Sequence, residues 1–114
     1  MEQYIKIDGK DVLMKSTGSA PIRFKQVFGE NPFEFMSQSH DGVENMEFSG
    51  KIGYIMKKAA EGNEGISYED YLTWLDSLSA SGIAFAASEI IDLWSGTQKT
   101  QSVEKKRAGK PTGK

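Results

Sequence analysis

Apolar and polar residues alternate through Tyr4, Ile5, Lys6 and Ile7, and a second short run, Asp11 to Lys15, carries Val12 and Leu13. Period-two alternation puts every second side chain on one face, which predicts strands. Asp8-Gly9 lies between the runs, and both residue types tolerate positive φ, so residues 4–15 are expected to form a β-hairpin. A lone hairpin is marginal in water and must lie against helices or pair with another chain.

Beyond residue 15 the apolar spacing becomes helical. Ile22, Phe24, Val27 and Phe28 predict an apolar helix face, with Ser19 as cap, Pro21 in the first turn, and Gly29 and Asn31-Pro32 as the stop. Phe33, Phe35 and Met36 begin a second short turn or helix. Residues 37–47 are polar, carry His40-Asp41-Gly42, and read as a loop able to move. A third helix is expected from Phe48-Ser49, with Ile52, Ile55, Met56 and Ala59 on one face, Lys57 and Lys58 on the wet side, and Gly62 to Gly65 at its end. Ser67 stands three residues before Asp70 in an imperfect capping box, because Asp is shorter than the usual Glu or Gln. Tyr68, Tyr71, Leu72, Leu75 and Leu78 make a strong stripe, with Trp74 beside it. After a break at Ser79 to Gly82, a last helix over 83–95 is expected to bury Ala87, Ile90, Ile91 and Trp94, to expose Glu89 and Asp92, and to stop at Gly96. Residues 67–96 thus read as a helical hairpin. The expected fold is α+β and mainly α-helical: one domain, residues 1–97, with the hairpin packed on a small bundle of about four helices (19–96).

Charge divides the chain differently. Residues 1–97 hold 8 Lys or Arg against 15 Asp or Glu, net −7, whereas residues 98–114 hold 6 Lys or Arg against Glu104 alone, net +5. Val103 is the one sizeable apolar side chain after residue 97, so the basic C-terminal tail is expected to be flexible and disordered in isolation. Zero cysteines exclude a disulfide framework, thiolate metal ligation and a Cys nucleophile. No apolar run approaches the ~18 residues of a membrane span, and the start of the chain lacks the pattern of a signal peptide, so a cytoplasmic protein is expected. An acidic body argues against the folded part gripping nucleic acid through phosphates.

The residues that could carry chemistry do not assemble into a recognisable pattern. His40 is the only histidine, and no nucleophile is placed beside it by the sequence. Asp41, Glu44 and Glu47 lack the glycine and alternating ligands of a calcium loop. Glu69, Asp70 and Asp76 lie around the outer side of a helix, and the glycines make no phosphate loop. No catalytic, metal or cofactor-binding residue is predicted, and the chain is not expected to be an enzyme. Phe24, Phe28, Phe33, Phe35, Tyr68, Tyr71, Trp74, Phe85 and Trp94 are many large groups for a small domain, so most should be core. Phe35, Met36, Trp74 and Trp94 are the candidate protein-binding residues, since aromatic anchors contribute disproportionately at interfaces. Lys105, Lys106 and Arg107 are a candidate electrostatic patch without an aromatic residue to stack on bases.

Taken in order, these segments resemble a known family. The hairpin precedes Phe24-x-x-Val27-Phe28-Gly29-x-Asn31-Pro32. There follow a helix with Tyr54-Ile55-Met56, then Ser67-Tyr68-Glu69-Asp70-Tyr71-Leu72-x-Trp74-Leu75, and Ile90-Ile91-Asp92-Leu93-Trp94-Ser95-Gly96-Thr97-Gln98-Lys99 before a Lys-rich end. The layout resembles the tail assembly chaperones of long-tailed (siphovirus-type) phages and prophages of Gram-positive bacteria. The resemblance implies a small helical protein of the host cytoplasm, absent from the mature virion. Such a protein binds the phage tape measure protein and tail tube protein and keeps them soluble until the tube polymerises. Many members of the family are made in two forms through a frameshift, and if this is the shorter one the boundary would fall near residue 97; the resemblance brings no catalytic residues. The hairpin signal at residues 4–15 adds possible self-association, its strands extending a neighbour's sheet. The alternative is a structural or DNA-associated phage protein, such as a head–tail connector component, that uses the basic tail.

Overall fold

A computed structural model describes residues 1–38 and 40–96. The order of elements is β1 (Glu2–Ile7), β2 (Lys10–Lys15), α1 (Ala20–Phe28), α2 (Pro32–Met36), α3 (Gly42–Ala60), α4 (Tyr68–Asp76) and α5 (Ala80–Ser95). An N-terminal two-stranded hairpin packs against a mostly helical bundle, as the pattern predicts. The basic segment 98–114 lies outside the described residues.

β1 and β2 are antiparallel with Ile5 opposite Val12 and Ile7 opposite Lys10, leaving Asp8 and Gly9 as a two-residue loop. Both have positive φ, 54° and 78°, the backbone that matches the right-handed twist of paired strands. Ile5, Ile7 and Met14 are fully buried, while Tyr4, on the opposite face, is exposed.

α3 is the hub. From Phe48 to Met56 it buries all but Lys51, with the hairpin, α1, α4 and α5 arranged around it. A helix apolar nearly all round has to be surrounded, and the single face read from Ile52, Ile55, Met56 and Ala59 understates this. α3 also begins earlier than expected. Asp41 accepts from the Glu44 backbone N–H at 2.9 Å while the Glu44 side chain accepts from Asp41 N–H at 3.1 Å, so a complete capping box converts much of the expected loop 37–47 into two helical turns.

Other expectations need correcting. Lys58 is not on the wet side: its side chain is 11% exposed and pairs with Asp70 at 3.3 Å and Glu61 at 3.5 Å. Ile22 is largely exposed, because α1 turns Phe24 to the core. Ser19 makes no side-chain cap, and its hydroxyl instead accepts from Arg23 Nε at 3.2 Å. α5 starts at Ala80, capped by Ser79, and buries Ile83, Ala86, Ile90 and Leu93. That face is rotated by one position from the expected one, and Ala87, Ile91 and Trp94 are half-buried at its margin. Phe85 stands 87% exposed on the outer side. The 67–96 segment contains two helices: α4 packs on α3, and α5 packs on α3 and β1.

Two tertiary clasps hold these pieces. The Asp8 carboxylate at the hairpin tip accepts from Ser79 N–H at 2.8 Å and from its hydroxyl at 2.5 Å, at the start of α5. Tyr54 donates its hydroxyl to Asp70 at 2.7 Å and accepts from Ser67 N–H at 3.1 Å. Ser67 caps α4 through Asp70 N–H at 3.0 Å. The short Asp70 does not reach back to Ser67, and the phenol of α3 fills that half of the capping box.

Candidate interaction surface

Three elements converge on an open apolar groove. α3 supplies Met46, Glu47 and Gly50. α4 supplies Tyr68, Tyr71, Leu72 and Leu75, and the chain into α5 adds Leu78, Ser79, Ala80 and Ile83. The cavity measures about 380 Å³. Helical spacing explains the convergence: positions 46, 47 and 50 share a side of α3, and 68, 71, 72 and 75 share a side of α4. Gly50 is the floor. A Cβ there would sit 3.5 Å from the Tyr71 hydroxyl and 3.6 Å from Leu75 Cδ2, in ordinary contact.

Tyr71 is 3% exposed, wedged edge-on against Phe28 and Tyr54 at centroid distances of 4.9 and 5.5 Å. Its hydroxyl has no hydrogen-bond partner among the described residues, and burial pushes its pKa well above the ordinary tyrosine value, so it presents a neutral O–H. Tyr54, also buried, is pushed up to about 12, first by desolvation and then by its hydrogen bond to Asp70. The same bond, followed by Lys58, holds Asp70 below its ordinary value.

The predicted protein-binding residues do not form one surface. Phe35 is half-buried between two rings: His40 at 3.5 Å, almost parallel, and Phe48 at 4.2 Å. Met36 is exposed beside Phe35 in a hollow of about 150 Å³ that also includes Ile91. Trp74, half-buried, lies 6.2 Å from Tyr54 with Lys57 Nζ 5.8 Å from its ring centre. Trp94, also half-buried, is 6.2 Å from Phe24. Lys105, Lys106 and Arg107 lie outside the described residues.

His40 serves local architecture. Its Nε2–H donates to the Phe35 carbonyl at 2.8 Å, Nδ1 lies 3.3 Å from Glu44, and Asp41 is occupied as a cap. Among the described residues, no three His, Asp or Glu side chains gather as a metal site, and no helix is long and apolar enough to cross a membrane. A second apolar hollow of about 510 Å³ lies between α1 and α2, where Ile22 and Phe33 are exposed beside Pro21 and Pro32.

The sequence marks Tyr68, Tyr71, Leu72, Leu75 and Leu78 as a strong helical stripe but not as the wall of a groove, and in the fold Tyr68 and Leu72 are exposed. The missing signal was Asp41-x-x-Glu44, which would have extended α3 backward and set Met46, Glu47 and Gly50 opposite that stripe. Comparison with family models, with curated proteins and with solved structures finds no match for this chain.

Proposed function

We propose that this protein is a phage tail assembly chaperone that binds the tape measure and tail tube proteins and keeps them soluble before tail assembly. The observation that carries the reading is an accessible apolar groove on a strongly acidic body. A holding protein needs apolar surface to cover a client's apolar surface, and enough charge to stay dispersed while loaded. Release then needs only a competing contact that buries more surface in the polymer. The order of segments along the chain, from hairpin to Lys-rich end, supports the same assignment. In this reading the protein works in the host cytoplasm and is absent from the finished particle.

The test is co-expression with the tape measure and tail tube proteins that this reading places beside its gene. We expect their soluble yield to rise several-fold and a complex to elute in size exclusion. Clients equally soluble alone, with no complex, would remove the proposal. The net +5 segment 98–114 favours one second reading, a connector or DNA-associated virion protein. It would reveal itself by presence in purified particles and by salt-sensitive DNA binding lost on deleting residues 98–114.

A further inference from the structure

Lys and Arg are absent from residue 59 through 96, while that stretch holds seven acidic residues: Glu61, Glu64, Glu69, Asp70, Asp76, Glu89 and Asp92. Residues 1–58 are balanced, with 8 bases and 8 acids. The formal −7 of the body is therefore the charge of its α4–α5 half. Within that half, Glu61 and Asp70 are paired with Lys57 or Lys58, but Glu69 and Asp76 have no ion pair among the described residues. Glu69 lies three positions before Leu72 and Asp76 four after it, so both flank the Leu72 edge of α4, beside the groove lining rather than in it. Glu47 stands on the opposite wall and is paired with Lys51 at 3.6 Å.

We propose that the groove between α3, α4 and the start of α5 is the docking site for a basic amphipathic helix of a partner protein. Three observations select this occupant. The cavity is at the lower end of small-molecule site volumes, with mostly aliphatic and aromatic walls that suit a few large apolar side chains. All three walls come from helices or their caps, with no strand edge. An extended segment would therefore press its own N–H and C=O groups against Leu72, Leu75 and Ile83 without partners, whereas a helix satisfies its backbone internally. The unpaired carboxylates on the rim match cations flanking the partner's apolar stripe. At the floor, the unpartnered Tyr71 hydroxyl beside Gly50 can donate to a polar group of the incoming helix. The inference rests on the chaperone reading for the biological identity of the partner, but not for the chemistry of the site.

The experiment uses the full chain and a fluorescein-labelled 18-residue Leu/Lys amphipathic helical peptide. Its controls are a scrambled peptide of identical composition and a Leu/Glu version. We expect the Leu/Lys helix to bind at least tenfold more tightly than either control, and more weakly as salt rises. Gly50→Leu fills the floor and Leu72→Glu breaks the wall, and each should weaken binding at least tenfold. Gly50→Ala fits the available space and gains helix propensity, so it should fold at least as stably while binding less. The double variant Glu69→Lys, Asp76→Lys should reverse the preference toward the Leu/Glu peptide.

Equal binding of the scrambled peptide, or binding unaffected in both Gly50→Leu and Leu72→Glu, overturns the site. So does a groove freed only by deleting residues 98–114, which assigns it to the chain's own basic segment. A dimer split by Gly50→Leu would also overturn it, by assigning the groove to a second copy. If co-expression succeeds and Gly50→Leu still solubilises the clients, the chaperone reading stands and this site fails. If the peptide binds as described but no client is held, the site stands and the chaperone reading fails.

Discussion

Asp8 does two jobs that meet at Gly82. Its backbone supplies the first positive φ of the hairpin loop, and its carboxylate reaches across to accept two hydrogen bonds from Ser79 at the start of α5. Those bonds hold its pKa below the ordinary value, the Ser79 hydroxyl first and the Ser79 amide second. The carboxylate lies so close to Gly82 that a Cβ there would collide with it, while the Gly82 N–H donates to the Ser79 hydroxyl at 3.0 Å. One glycine thus permits a turn residue, a cap and a helix to share a corner. Gly82→Ala gains helix propensity and is nevertheless expected to lower Tm by several degrees, because the displaced carboxylate releases Ser79. Asp8→Asn should lower Tm less, and the double variant should be far from additive, since either change alone opens the same clasp. Thermal melts of the four proteins decide it, and a Gly82→Ala that melts higher than the parent would sink the account.

Among the elements, α3 shows how local chemistry decides what a long pattern leaves open. Its first two turns are almost wholly exposed, and Val43 points outward, so no apolar periodicity marks them. The reciprocal Asp41–Glu44 box starts the helix there. Asp41→Ala should cost about 0.5–2 kcal/mol. Its hydrogen-exchange signature should be faster exchange of the amides in 44–47 with protection of 52–56 unchanged, and uniform loss of protection along α3 would contradict it. The same comparison explains what was legible. The hairpin was, because Asp-Gly fixes both register and face, and so was the order of the longer helices, because Gly29, Gly62 and Gly96 punctuate them, although about four helices were expected and there are five among the described residues. The groove was not: it depends on which side of α3 faces α4, and the polar start of α3 carried that information in a cap rather than in a stripe. The burial of Lys58 escaped for a related reason, since its partner Asp70 lies on another helix.

At the scale of the whole molecule, the ionisable clasps and the net charge pull stability in opposite directions as pH falls. Asp8, Glu61 and Asp70 all have folded pKa values below their ordinary ones, held down first by Ser79, Lys57 and Tyr54 respectively. Each therefore adds stability that is fully present above the unfolded value, 3.8 for Asp and 4.5 for Glu, and is lost as pH falls through the lower folded value. Protonating the excess of acids also relieves repulsion within the α4–α5 half, which acts the other way. The clasps are contacts of 2.5–3.5 Å, whereas the repulsion is spread over the surface and is screened beyond about 8 Å at physiological salt. The clasps should win there. At 0.15 M salt we expect the urea midpoint to hold steady from neutral pH to about 5 and to fall below about 4.5. Asp70→Asn should start lower and show a shallower acid decline, because the lost carboxylate no longer titrates. At the alkaline end the sign reverses for Tyr54. Its raised pKa adds stability that is complete below 10 and disappears as pH rises toward about 12, and Tyr54→Phe should remove that part of the decline. A urea midpoint that climbed on acidification at this salt would mean that surface repulsion, not the seams between hairpin, α3, α4 and α5, governs the fold.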